Sequence, residues 1–203
     1  MEETREVIRN IKKELRLFMN GVTSAQQRKL GMEYNIIFGV DIPHLKKIAE
    51  KFTKDADVAY TLWKENIRES KLLAIFLLPE ERYQEVADRW IRECRYSENA
   101  DHLAHNILCR LPDACSKAIE WIGNDNAMHI YCGYMTLCNL FRKGETLSQE
   151  NEKRLFASAS RHLSGEMKNA NAPQALRALT LYFDKDEKRA ARYEMFKSGE
   201  TKL

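Results

Sequence analysis

The stretch RYQEVADRWIREC, Arg82 to Cys94, decides the fold class. Its apolar residues are Tyr83, Val86, Ala87, Trp90, Ile91 and Cys94. They recur at i, i+3, i+4, i+7, i+8 and i+11, the spacing that lines up side chains along one stripe of an α-helix. The same period runs outward on both sides. N-terminal to it, Val7, Ile8, Ile11, Leu15 and Phe18 form one stripe, and Ile42, Leu45, Ile48, Ala49 and Phe52 another. C-terminal to it, further stripes run through Leu103, Ile107, Leu108 and Leu111, through Cys115, Ala118, Ile119 and Ile122, and through Tyr134, Leu137, Cys138 and Phe141. No segment sustains the period-two alternation of a half-buried strand. The chain is therefore predicted to be all-α.

The breaks between stripes carry helix-start signals. Ser24 with Gln27 in TSAQQ, and Asn171 with Gln174 in NAPQ, have the spacing of a capping box. Pro43, Pro79 and Pro112 each fall near an expected helix start, where a missing N–H costs little. Leu72 to Leu78 is apolar almost all round, so its helix is expected to be covered on more than one side. Trp63, Trp90 and Trp121 sit at core spacing. Short links between helices suggest stacked pairs: 42–53 with 57–65, 68–78 with 80–95, 99–110 with 113–122, 126–142 with 149–163, and 172–183 with 187–197. Residues 1–37 supply the N-terminal helices, and the whole of 1–203 reads as a single domain. The period is too irregular for a crisp repeat. A degenerate HEAT-like solenoid and a compact bundle both fit.

Composition narrows the classes. Of 203 residues, 44% are hydrophobic and 31% charged, which suits a folded chain rather than a disordered one. The net charge of +3 gives no basic tail, so any affinity for nucleic acid has to come from cations gathered by folding. No apolar run reaches the ~20 residues that span a bilayer. The opening MEETREVIRN has no apolar core of a signal peptide. Five cysteines without a CxxC pair point to free thiols in a reducing, cytoplasmic setting.

SENADHLAHNIL, Ser97 to Leu108, carries the candidate chemistry. Asp101 is expected in the first turn of its helix, with Asn99 as a possible cap. A carboxylate there steadies the helix dipole by about 0.3–1 kcal/mol; the alternative is that it acts on a substrate. His102 and His105, three apart, could share a face for phosphate contact. No matching Cys or His closes a tetrahedral metal set, so no metal and no cofactor are expected.

Three stretches taken in order resemble the DNA alkylation repair enzymes of the AlkD family: FGVDIPHLKKIAEKF (Phe38–Phe52), LWKENIRESKLLAIFLL (Leu62–Leu78) and SENADHLA (Ser97–Ala104). WIGNDNAMHIYCGYMTLCNLF (Trp121–Phe141) is similar to that family's next repeat. The resemblance spans roughly residues 25 to 185. It implies HEAT-like helical pairs stacked into a curved superhelix, with duplex DNA held in a basic concave groove. It implies excision of cationic N3- or N7-alkylated purines, with the family's catalytic carboxylate falling on Asp101. The chain reads as a divergent member. The family's arginine on the following repeat falls on Tyr131, a tryptophan four residues before the aspartate falls on Ser97, and a second tryptophan falls near Leu179.

The candidate DNA contacts are Lys46, Lys47, Arg68, Arg95, His102, His105, Arg110 and Tyr131. Arg68 has a second reading, as one half of a buried pair with Glu69 or Glu98. Lys185, Lys188, Arg189 and Arg192 form a further basic run. The expected partner is double-stranded DNA with alkylated bases, bound by a monomer. Two other functions stay open: a catalytically inactive DNA-backbone binder of the same fold, and a helical-repeat protein–protein scaffold.

Overall fold

A computed structural model describes residues 2–164, 170–184 and 186–199. Among them the chain forms twelve α-helices: α1 Glu2–Leu17, α2 Gly21–Lys29, α3 Ile42–Ala49, α4 Ala56–Lys64, α5 Arg68–Leu77, α6 Tyr83–Glu93, α7 Ser97–Asn106, α8 Ala114–Ile122, α9 Ala127–Arg142, α10 Gln149–Leu163, α11 Ala172–Phe183 and α12 Glu187–Ser198. Two 3-10 turns, Glu80–Arg82 and Leu108–Arg110, join them. Among the described residues the one bridge outside helices is a parallel contact of Ile36 with Ile67. Lys185 lies outside the described residues.

Local chemistry sets the helix ends. Asp41 accepts from the His44 N–H, and Pro43 occupies the first turn of α3. Asn126 accepts from the N–H groups of Met128 and His129 to start α9. Ser148 does the same for α10 through Asn151. The expected start at Ser24 is corrected. α2 begins at Gly21, capped by Asn20, and the Ser24 hydroxyl instead donates to the Ile37 carbonyl at 2.8 Å. Asn171 does precede α11, but its side-chain amide donates to the Ala127 carbonyl at 2.9 Å rather than capping the helix.

Packing divides the chain into two compact units, Met1–Val86 and Ala87–Leu203. In the first, α5 is the central helix: eight of its ten residues are buried, including Leu72, Leu73, Ala74, Ile75 and Leu77. It packs on α4 and α3, and α1 covers α3 and α4 with Ile8, Ile11 and Leu15. All three tryptophans are buried.

The second unit has two layers. Helices α7, α9 and α11 lie side by side, with α8 packed behind α9, and α10 against α8 and α11. The three front helices run parallel. His105 follows Asp101 on α7 as Asn139 follows Tyr131 on α9, each residue against its counterpart. Asn171 meets Ala127, and the Tyr182 ring packs tilted against Phe141, with ring centroids 4.7 Å apart. The tightest hairpins are α4 with α5 and α8 with α9. The expected pairs 42–53/57–65 and 99–110/113–122 are therefore out of phase by one helix. Gly133 shows why α8 and α9 sit so close: a Cβ there would come within 2.9 Å of the Ala118 carbonyl oxygen.

Candidate functional site

Asp101 is the fifth residue of α7, and the carboxylate of the first turn is Glu98. The expectation of a first-turn Asp101 is thus corrected, and with it the role of steadying the dipole, because the dipole's effect fades beyond the first turn. Asn99 is not the cap either. It lies inside the helix, 1% exposed. α7 starts at Ser97 without a side-chain cap.

Asp101 is half-buried on the face that α7 turns toward α9. The Tyr131 hydroxyl donates to its Oδ1 at 3.0 Å. Among the described residues Oδ2 takes no hydrogen bond. Burial raises the Asp101 carboxyl above its ordinary range; the Tyr131 hydrogen bond and the Arg177 guanidinium pull it back, and Glu98 pushes it up. The phenol of Tyr131 moves far up, through burial first and then the charge of Asp101, with Ser97 beside it acting in the other direction. Tyr131 is therefore held protonated as a donor and Asp101 serves as its acceptor. Ser97, Asp101 and Tyr131, three positions where the resemblance places site residues, meet at one seam.

Arg177 borders this seam, its guanidinium acting on Asp101. Arg177 on α11 and Arg142 at the end of α9 both act on the buried Cys138 thiol, as does Asp101. Burial nevertheless pushes that thiol up to about 11, so it stays an inert core group. Arg142 donates to the Asn139 side-chain oxygen at 3.3 Å, and His105 Nδ1 lies 3.5 Å from the same atom. His105 and Arg110 are exposed, and His102 is half-exposed. Arg95 is exposed in the link before α7. Among the described residues no three His, Cys, Asp or Glu side chains gather as metal ligands would.

Arg142 and Arg177 were not anticipated from the sequence. Arg177 left one signal: it is the sole charged residue of APQALRALTLYF, residues 172–183.

Lys46 and Lys47 belong to the first unit, exposed on α3. Arg68 is a different case. It is 2% exposed, with Nη1 donating to Glu69 Oε1 at 2.9 Å and to the Val40 carbonyl at 2.8 Å. Its expected role as a DNA contact is corrected, and the alternative of a buried pair with Glu69 is what the structure contains. A guanidinium committed to a carboxylate and a carbonyl in the core cannot reach a phosphate.

The family model for "DNA alkylation repair enzyme" matches residues 11–172. The chain belongs to the DNA alkylation repair enzyme family. The match runs from within α1 to the first residue of α11, so it includes Asp101 and Tyr131 and stops short of Arg177. One solved structure superposes on 93% of this chain and 82% of its own, with a TM-score of 0.76 at 16% identity. It is described as "a new family of proteins related to the HEAT-like repeat DNA glycosylases with affinity for branched DNA structures". At that identity the likeness establishes the all-α, HEAT-like repeat fold. A comparison with curated proteins gives no match. No helix among the described residues is long and apolar enough to cross a membrane.

Proposed function

We propose that this member of the family binds duplex DNA and hydrolyses the N-glycosidic bond of cationic N3- or N7-alkylated purines, with Asp101 beside the deoxyribose. The observation that carries the reading is the state of Asp101: a half-buried carboxylate, one oxygen fixed by Tyr131 and the other free of hydrogen bonds among the described residues. An alkylated purine already bears a positive charge. The C1′–N bond breaks with its electron pair going to the base, which leaves neutral, so no general acid and no cofactor are required. The sugar is left as an oxocarbenium-like cation. A carboxylate about 4 Å away stabilises it by roughly 4 kcal/mol at an effective dielectric near 20, and that is about a thousandfold in rate. Water then adds at C1′ and gives up a proton to Asp101 or to solvent. Arg142 and Arg177, with His102, His105, Arg95 and Arg110, are the phosphate contacts in this reading.

The test is release of free 7-methylguanine or 3-methyladenine from methylated duplex DNA. The wild-type protein releases it, and Asp101→Asn, which keeps the shape and the hydrogen bond from Tyr131, does not. Equal release by both, at the level of spontaneous depurination, refutes the catalytic role.

A second reading is favoured by one observation. Tyr131 stands where the resemblance places arginine, and its hydroxyl is spent on Asp101. The same surface would then bind DNA without chemistry, with affinity for branched forms, as is said of the structurally similar protein. Affinity for a four-way junction above that for linear duplex, with no base release, selects it.

A further inference from the structure

The first unit presents a cluster of large apolar side chains to water at the corner between α1 and α2. Leu17 is 74% exposed, Met19 64% and Val22 71%. Phe18 lies among them, its ring centroid 4.7 Å from that of His44 on α3. α2 itself buries none of its residues.

The corner is nevertheless held firmly. The Asn20 N–H donates to the Phe38 carbonyl at 2.8 Å, and the Ser24 hydroxyl to the Ile37 carbonyl. Gly39 makes this approach possible. It has φ of 74°, and a Cβ there would come within 2.2 Å of the Asn20 carbonyl oxygen. The loop is anchored from beneath by Glu69, 0% exposed, which accepts from the N–H groups of Phe38 at 3.0 Å and Gly39 at 2.9 Å. Arg68 ties Glu69 to the Val40 carbonyl, and the Gln27 amide, turned to accept, meets its Nε at 3.1 Å and Nη2 at 3.2 Å. Two buried charges thus immobilise the loop on which an apolar corner is displayed.

The surroundings of the corner are positive. α1 and α3 run antiparallel, with Phe18 on His44 and Glu14 ion-paired to Lys51 at 2.7 Å. His44, Lys47 and Lys51 share one face at i, i+3 and i+7, so Lys47 lies along the last turn of α1. Arg16 and Lys47 are exposed and form no ion pair among the described residues, whereas Asp41 is already bound to His44 at 2.7 Å.

We propose that the α1–α2 corner is a wedge for branched DNA, laying Leu17, Met19 and Val22 on the base pair exposed at a branch point, with Arg16 and Lys47 on the flanking phosphates. The proposal rests on the DNA-binding reading above and needs no glycosylase chemistry. Apolar side chains cannot read the donors and acceptors of base edges, but they can cover a base face. In linear duplex that face is stacked and has to be opened at a cost. A branch exposes it already. Protruding groups suit insertion, whereas peptide segments are taken into grooves or along sheet edges.

The experiment uses the full chain and two DNAs of equal length and arm sequence, a four-way junction and a linear duplex, read by fluorescence anisotropy across salt. The wild-type protein prefers the junction. The double variant Leu17→Ser, Met19→Ser loses junction affinity by about tenfold, the worth of a few apolar groups returned to water. Its duplex affinity and its melting temperature stay unchanged, since both side chains are exposed. Lys47→Gln weakens both DNAs and flattens the salt slope by about 0.9. A double variant that keeps the preference overturns the wedge while leaving DNA binding intact. Equal loss on both DNAs also overturns it, as does a change confined to self-association or protein binding. A wild-type protein with no preference removes both the wedge and the branched-DNA reading, while Asp101→Asn tests the chemistry separately.

Discussion

Glu69→Gln should cost far more than a change of one atom suggests. The Glu69 carboxylate is fully buried and makes three hydrogen bonds: Oε1 accepts from Gly39 N and Arg68 Nη1, both at 2.9 Å, and Oε2 from Phe38 N at 3.0 Å. Glutamine keeps the volume but turns an NH2 group toward one of these donors. It also removes the charge that balances Arg68, whose side chain is 3% exposed. Removing one partner of a buried pair typically costs about 3–5 kcal/mol. With a urea slope of about 2 kcal/mol per molar, the unfolding midpoint should fall by about 2 M. Urea denaturation followed by far-UV circular dichroism measures it. The double variant Arg68→Met, Glu69→Leu should lose less than the two single changes summed, because no charge is left alone in the core. It should not recover fully, since the N–H groups of Phe38 and Gly39 remain without their acceptor, at about 1–3 kcal/mol each. A Glu69→Gln midpoint within about 0.5 M of wild type would refute the claim that this pair anchors the loop.

Three further outcomes follow from the same geometry. In Tyr131→Phe the Asp101 carboxyl loses the hydrogen bond that lowers its pKa, so the acidic limb of the pH–rate profile for base release should move to higher pH; an unmoved limb contradicts the assignment. Gly133→Ala forces α8 and α9 apart, because the new Cβ meets backbone atoms of Ala118 and Ile122 at 2.9 Å. It should destabilise by about 1–3 kcal/mol, a fall of several degrees in a thermal melt. Burial raises the Glu152 carboxyl, but hydrogen bonds from Arg192 and Tyr182 more than offset that and hold it below its ordinary 4.5. Its contribution to stability is therefore complete above that value and lost as pH falls through the lower, folded-state one. An acid titration should show Glu152→Gln lacking that part of the loss.

Helix positions were legible wherever an apolar stripe met a local stop signal. The expected 126–142 and 149–163 became Ala127–Arg142 and Gln149–Leu163, each opened by a capping side chain. α2 was misplaced because it buries nothing and so has no stripe to find. The phase of the hairpins was not legible, for a geometric reason. In a stack, a helix can touch both the one before it and the one after it, and short links are compatible with either pairing. Close approach decides between them, and the residue that permits it at α8 and α9 is a single glycine inside an otherwise ordinary helix.

The site was legible as separate letters but not as an arrangement. Ser97 and Tyr131 look, position by position, like losses relative to the family resemblance. The fold brings both to Asp101, where the phenol does part of what a guanidinium would do there: it donates a hydrogen bond to the carboxylate. It does not neutralise it. An arginine beside Asp101 makes a pair of zero net charge, while tyrosine leaves the full negative charge in place. On the proposed function, that charge favours a cationic sugar and repels phosphate, so the pull on a DNA backbone has to come from elsewhere in the unit. Arg177 and Arg142 are the exposed cations proposed for that role, on the two helices that follow α7 in the same layer. On that proposal, tyrosine at this position separates two duties that one arginine could combine, with the hydrogen bond from α9 and the positive charge from α11 and the end of α9. No stripe or spacing in the sequence announces such a division, because it depends on which helices share a layer.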